Sequence, residues 1–197
     1  MGSSRRLERA LKSDAPLAAA RHKGVIGDEI ADEIEWDDAV VIGRTVLINR
    51  PREELYAFWR DVSNLPRFMQ NIERIDVIDE RRSHWVVGSP GGTVEWDSVI
   101  VEELPGERIG WASDEGADVK NTGVVEFRDN SAGRGTEVSA TILYDPPAGD
   151  LGRRIAKLFG KEPKVQARRD LRRFKQLMET GEISTAEAPY AAPRGDK

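Results

Sequence analysis

The stretch "NRPREELYAFWRDVSNLPRFMQNI", residues 49–72, decides the fold. Pro51 and Pro66 each open a very short segment, and each segment carries large apolar side chains. Pro51 suits the first turn of a helix, where its missing N–H leaves no bond unmade, and Glu53 and Glu54 favour the positive end of the helix dipole. Leu55, Phe58, Trp59 and Val62 then recur at i, i+3, i+4 and i+7, which makes one apolar stripe. "SNLP" breaks that helix and starts a second, which carries Phe68, Met69 and Ile72. Neither segment is long enough to be a core alone, so the pair must close over something else.

The flanking sequence says what that is. Upstream, "VVIGRTVLIN" is rich in β-branched residues and stops at Asn49-Arg50-Pro51, which reads as a strand and its end. Downstream the period changes to two through "IERIDVIDE", "SHWVVGS", "TVEWDSVIVEEL", "ERIGWASDE", "NTGVVEFRDN" and "GTEVSATILYDPP". Turns at Pro90-Gly91-Gly92, Pro105-Gly106 and "NSAGRG" separate these runs, so they predict five or six antiparallel strands. In the last run Val138, Ala140, Ile142 and Tyr144 face one way and Glu137, Ser139 and Thr141 the other, as in a sheet with one buried face. A helix follows. Leu151, Ile155, Leu158 and Phe159 form its first stripe, Gly160 and Pro163 interrupt it, and Ala167, Leu171, Phe174 and Met178 form its second before Gly181 stops it. The predicted fold is therefore α+β: a curved antiparallel sheet wrapped around a long C-terminal helix, with two short helices after the first strand plugging the end the long helix leaves open.

Three of these runs resemble a known superfamily. They are "INRPREELYAFWRDVSNLPRFMQNIERIDVID", "EWDSVIVEELPGERIGWAS" and "GRGTEVSATILYDPP". Together they look like the SRPBCC superfamily, the helix-grip proteins that include START domains, and within it the bacterial polyketide cyclase/dehydrase and coenzyme Q-binding START-like group. The resemblance spans about residues 42–180. It implies a cavity between sheet and helix that takes a hydrophobic or amphipathic small molecule (a lipid, a quinone or a polyketide), and it implies no cofactor. It divides the chain into an acidic N-terminal extension, 1–40, expected to be partly disordered, a ligand-binding domain, 41–181, and a disordered tail, 182–197.

Composition narrows the functional classes. The 197 residues hold no cysteine and two histidines, His22 and His84, which excludes disulfides and thiolate metal sites. Such a chain fits a reducing cytoplasm. The net charge is −5, yet residues 151–181 carry ten Lys/Arg against three acids, so the remainder of the chain is strongly acidic. Basic residues Lys161, Lys164, Arg168, Arg169, Arg172, Arg173 and Lys175 give the helix a broad positive face, suited to a solvated surface or to anionic lipid headgroups. The acidic run 28–38, with Ile30, Ile34 and Trp36 inside it, is a second candidate to meet that face. Nucleic acid is disfavoured, because the chain is acidic overall and has no base-reading module.

Expected ligand-binding residues are Trp85, Trp96, Trp111, Phe127 and Tyr144 on the strands, Leu55, Trp59, Phe68 and Met69 at the mouth, and Leu158, Leu171, Phe174 and Met178 on the helix. Aromatics supply flat apolar area with, for Trp and Tyr, a polar handle. The alternative is a cyclase, aromatase or dehydratase, whose chemistry needs a general acid or base in the cavity. The available groups are Tyr144, Glu95, Asp97, His84 and Arg108. Alternation predicts His84 in solvent. Glu95 and Asp97 flank Trp96: with Trp96 inward they lie outside, and with the register reversed they form a buried carboxylate pair.

Overall fold

A computed structural model describes residues 40–89, 92–117, 119–144, 149 and 163–184. The extension before Val40, the stripe Leu151, Ile155, Leu158 and Phe159, and the tail from 185 lie outside the described residues. Seven strands form one antiparallel sheet: β1 (Val40–Ile48), β2 (Ile72–Val77), β3 (Arg82–Ser89), β4 (Gly92–Leu104), β5 (Arg108–Ser113), β6 (Asn121–Asp129) and β7 (Thr136–Tyr144). Their spatial order is β1-β7-β6-β5-β4-β3-β2, a meander in which only the first strand jumps to pair with the last. Helix α1 (Arg52–Arg60) follows β1, and helix α2 (Pro163–Thr180) ends the fold.

Register decides which side chains look inward. Trp85 lies opposite Trp96, Ser83 opposite Ser98 and Val87 opposite Val94. Ile100 pairs with Trp111, Ile109 with Val125, and Phe127 with Val138. These residues share one face, and both helices pack on it. The predicted inward set of β7 holds at Val138 and Tyr144, which are buried. On α2, Leu171, Phe174, Leu177 and Met178 are buried, and Gly181, at φ +79°, donates its N–H to Leu177 O at 2.8 Å and ends the helix. A residue with φ > 0 is cheap only for glycine, hence the stop where the sequence placed it.

The first predicted short helix forms, one residue after Pro51, with Leu55 and Trp59 buried. The second is different. Val62–Arg67 is a 3-10 segment that begins directly after α1, and Phe68 and Met69 follow it, while Ile72 already opens β2. The cause is local. Asp61 turns its carboxylate onto Ser63 N at 3.2 Å, and Pro66, which has no N–H, cannot make the bond an α-helix would need there.

The core is aromatic. Phe174 sits 4.8 Å from Phe68 and 5.2 Å from Trp59, ring centre to ring centre, and Trp59 meets Phe127 edge-on at 6.3 Å. The 49–72 stretch thus closes over α2 and the sheet at once. A second, smaller cluster joins Ile42, Val87, Val94, Val119 and Tyr144, with Ala167 of α2 and Trp96 packed against it. Among the described residues no helix is long and apolar enough to cross a membrane.

Candidate functional site: a two-part cavity under the short helices

Between the two clusters the inward face carries tryptophans beside small residues. Trp85 and Trp96 stack with centres 6.0 Å apart and planes 16° apart. The indole N–H of Trp85 donates to Ser83 Oγ at 2.9 Å, and Ser98 Oγ donates to Ala112 O at 3.2 Å. The Trp111 ring lies over Gly123, where any Cβ would collide with its six-membered ring. Bulky rings therefore alternate with positions that lack bulk, and such a surface leaves space.

The space has two parts. An inner chamber of about 40 Å³ is bounded by Trp59, Leu65 and Met69 above and by Trp85, Ile100 and Trp111 below, with Ser83 and Ser98 as its polar points. An outer vestibule of about 270 Å³ opens between α1 and the β2–β3 turn, lined by Arg60, Asp61, Val77 and the run Asp79 to Ser83. The two share Arg60, Val62, Ser83 and Ile100, so they adjoin at those four side chains.

Arg60 is held there by two neighbours, one of which is itself held by Tyr56. Its Nε donates to Glu103 Oε1 at 2.6 Å and its terminal nitrogen donates to Glu80 O at 2.8 Å, while Tyr56 OH donates to the same Glu103 oxygen at 2.6 Å. The network ties α1 to β4 and to the β2–β3 turn. Burial, then the Glu103 bond, pushes the Tyr56 phenol up to about 12, and the Tyr56 and Arg60 bonds hold the Glu103 carboxyl below its usual range. The proton thus stays on the phenol and the charge on the carboxylate. Glu103→Gln is expected to weaken both bonds, lower stability by ~1–2 kcal/mol, and increase amide exchange across Val62–Met69. Unchanged exchange there would show that the network does not restrain the segment.

Of the residues expected to meet a ligand, Trp59, Met69, Trp85 and Trp111 line the chamber. Leu55, Phe68, Phe127, Leu171, Phe174 and Met178 pack in the surrounding core. Trp96 and Tyr144 belong to the second cluster, and burial pushes the Tyr144 phenol up. Leu158 lies outside the described residues.

His84, Glu95 and Asp97 are not in the cavity, which corrects the buried-carboxylate alternative. Trp96 points inward, so its neighbours point outward. There His84 Nδ1 lies 2.7 Å from Asp97 Oδ1 and Nε2 lies 3.4 Å from Glu95 Oε2. The Asp97 bond, with the charges of both acids, raises the imidazole above its ordinary value. Arg108 also faces outward and pairs with Glu102 and Glu126. Among the described residues no group of three His, Asp or Glu side chains is placed to hold a metal.

Sequence reasoning missed Ser83, Ser98, Ile100 and Ile109. The same alternation that turned Trp85 and Trp96 inward carried them, at two-residue spacing. Arg60 and Asp170 gave no such signal. Asp170 stands in the basic run of α2, yet its carboxylate accepts from Gln166 Nε2 at 2.9 Å and from Gln70 N–H at 3.5 Å, and burial pushes it up to about 6.

A curled sheet gripping a C-terminal helix, with short helices capped over an apolar chamber, defines a helix-grip protein. Residues 48–172 match the family model for polyketide cyclase / dehydrase and lipid transport. The chain belongs to that family. It is 38% identical to DR_A0006 from Deinococcus radiodurans, with a TM-score of 0.60 over 73% of this chain and 100% of that one. An uncharacterised 17.2 kDa Streptomyces lincolnensis protein is 28% identical over 70% of this chain and 89% of its own length. The Zhui aromatase/cyclase from Streptomyces sp. R1128 shares the fold at 14% identity, with a TM-score of 0.57, over 74% of this chain and 99% of that one.

Proposed function

We propose that the protein binds a hydrophobic or amphipathic small molecule of the lipid, quinone or polyketide kind, taken up through the vestibule into the chamber between the sheet and the short helices. The observation that carries this reading is the adjacency of an open vestibule and an apolar, tryptophan-lined chamber, which share Arg60, Val62, Ser83 and Ile100. Known ligand sites combine an apolar wall with a few fixed polar groups, here Ser83, Ser98 and the Trp85 indole.

The chamber's 40 Å³ accommodates about one water, far less than the ~300 Å³ or more that drug-sized ligands occupy. A ligand must therefore displace its lid. The lid is suited to that. A 3-10 segment has poorer hydrogen bonds than an α-helix, and Met69 beside it is unbranched and repacks readily. Among the described residues Arg60 is the one ionisable side chain lining the chamber, and Glu103 already engages it. Binding without covalent chemistry is therefore the reading we adopt over catalysis. The exposed Arg168, Arg169 and Arg172 on α2 suit uptake from an anionic lipid surface.

Gly123→Val provides the test. Its backbone is ordinary strand, but the new side chain must push the Trp111 ring toward the chamber. Overpacking of this kind costs ~1–3 kcal/mol; because the new Cβ would also come within 2.8 Å of Thr141 O on β7, the variant's cooperative unfolding is checked before its binding is read. Indole fluorescence is titrated with palmitate, a short-chain ubiquinone and a tricyclic aromatic polyketide. At least one is expected to bind the parent protein saturably, and the variant at least tenfold more weakly. Absence of saturable binding to all three, or equal binding by the variant, would overturn the assignment.

A further inference from the structure

The other face of the sheet should be wet. Both helices occupy the inward face, and among the described residues no helix packs its apolar side against the outward one. Part of that outward face is nonetheless dry. Leu143 is 0%, Thr122 1% and Val124 2% exposed, and Ala112 is buried too. Leu143 lies opposite Thr122, Thr122 opposite Ala112, and Ala112 opposite Val99, so these residues form one continuous row across β7, β6, β5 and β4. None of them belongs to either core cluster.

The sheet supplies its own controls. Toward the β2 edge the outward pair Arg74–Asp76 is 61% and 54% exposed, as expected of a solvated ion pair. On β5 and β6 the outward pair Arg108–Glu126 is only 19% and 9% exposed. Leu47, near the far end of β1, is 38% exposed, and Leu143 of the dry row pairs with Val41 near the start of β1. The dry zone therefore sits over β4–β7 at the end where β1 begins.

We infer that this patch is the docking surface of the chain's own N-terminal extension, specifically the acidic segment 28–38. Three features select that occupant. The extension joins the sheet at Val40, opposite Tyr144 and so beside the dry row. As a helix, eleven residues would span ~16 Å, and three strand spacings from β7 to β4 cover ~14 Å. The segment presents Ile30 and Ile34 at i,i+4 for the floor of Ala112, Thr122, Val124 and Leu143, and its seven acids suit the arginines of the rim, Arg108 and Arg128. The acidic run thus meets the sheet's outer face, and the basic face of α2 stays open to other partners. This inference does not depend on the ligand-binding proposal.

The chain has no cysteine, so single introduced thiols report accessibility cleanly. Labelling rates are compared for Ala112→Cys, Ile34→Cys and the outward, exposed control Thr93→Cys in the full-length chain. Both test thiols are expected to react at least ~100-fold more slowly than the control, since labelling requires a local opening. Adding Ile30→Asn with Ile34→Asn to Ala112→Cys should return its rate to within about tenfold of the control, while the cooperative unfolding transition of the sheet domain is kept. A thiol in Ile34→Cys that reacts as fast as the control overturns the inference. So does protection of Ala112→Cys that survives the double substitution. Protection that fades on dilution also overturns it, because a second copy would then be the cover.

Discussion

Replacing Phe174 with alanine is expected to destabilise the protein by ~3–5 kcal/mol. Phe174 is 0% exposed and touches three rings at once: Phe68 at 4.8 Å, Trp59 at 5.2 Å and Phe58 at 5.8 Å. Its removal takes away the shared contact of α2, α1 and the segment after Pro66. The void cannot close easily, because each neighbour is itself fixed: Trp59 by Phe127 and Phe68 by Trp59. The loss should therefore lie at the top of the usual range for buried aromatics, as cavity cost adds to lost transfer energy. Denaturant unfolding of the parent and Phe174→Ala proteins measures it. A loss below ~1 kcal/mol would mean that α2 is not the element the aromatic core grips.

Asp170→Asn is expected to act in the opposite direction. Burial pushes the folded carboxyl up to about 6, from an ordinary value near 3.8; the bonds from Gln70 and Gln166 and the nearby Arg173 and Arg169 offset part of that cost. Below about pH 3 the acid is protonated in both folded and unfolded chains, and it exerts no penalty. Between about pH 4 and pH 6 the unfolded chain releases its proton first, so this group's contribution to stability falls as pH rises. Above pH 6 the full penalty applies, ~3 kcal/mol at most for a shift of about two units. Asparagine keeps an acceptor for Gln166 and Gln70 and carries no charge. The stability gap between variant and parent should therefore be near zero at about pH 3 and grow to a plateau by about pH 7, read from chemical denaturation across that range. A variant less stable than the parent at pH 7 would show that the bonds to the carboxylate outweigh its desolvation.

These two positions also mark how far the sequence could be read. Phe174 was legible. It repeats Ala167 and Leu171 at helical spacing and precedes Met178, and spacing alone assigns it to a buried stripe. Asp170 was not, because it stands one turn from Phe174 among arginines, where a helix face reads as solvated. Its burial arises only when Gln70, one hundred residues earlier, arrives beside it. The second short helix was legible in its place but not in its type, for a related reason. Pro66 and the apolar pair Phe68 and Met69 suggested a helix start, but the competing bond from Ser63 N to Asp61, a side-chain choice, set the segment as 3-10.

Local periodicity by itself determined the strand–helix order, the inward turn of Trp85, the stop at Gly181 and the outward turn of Glu95 and Asp97 once Trp96 faced in. Those properties depend on residues two to four apart, and a chain carries them wherever it goes. Tertiary structure alone decided that the large aromatics mostly fill the grip, leaving a 40 Å³ chamber behind a 270 Å³ mouth. It alone placed Arg60 between the two and dried one end of the sheet's outer face. Volume and desolvation are properties of surfaces brought together from distant parts of the chain, and no local pattern encodes how closely they meet.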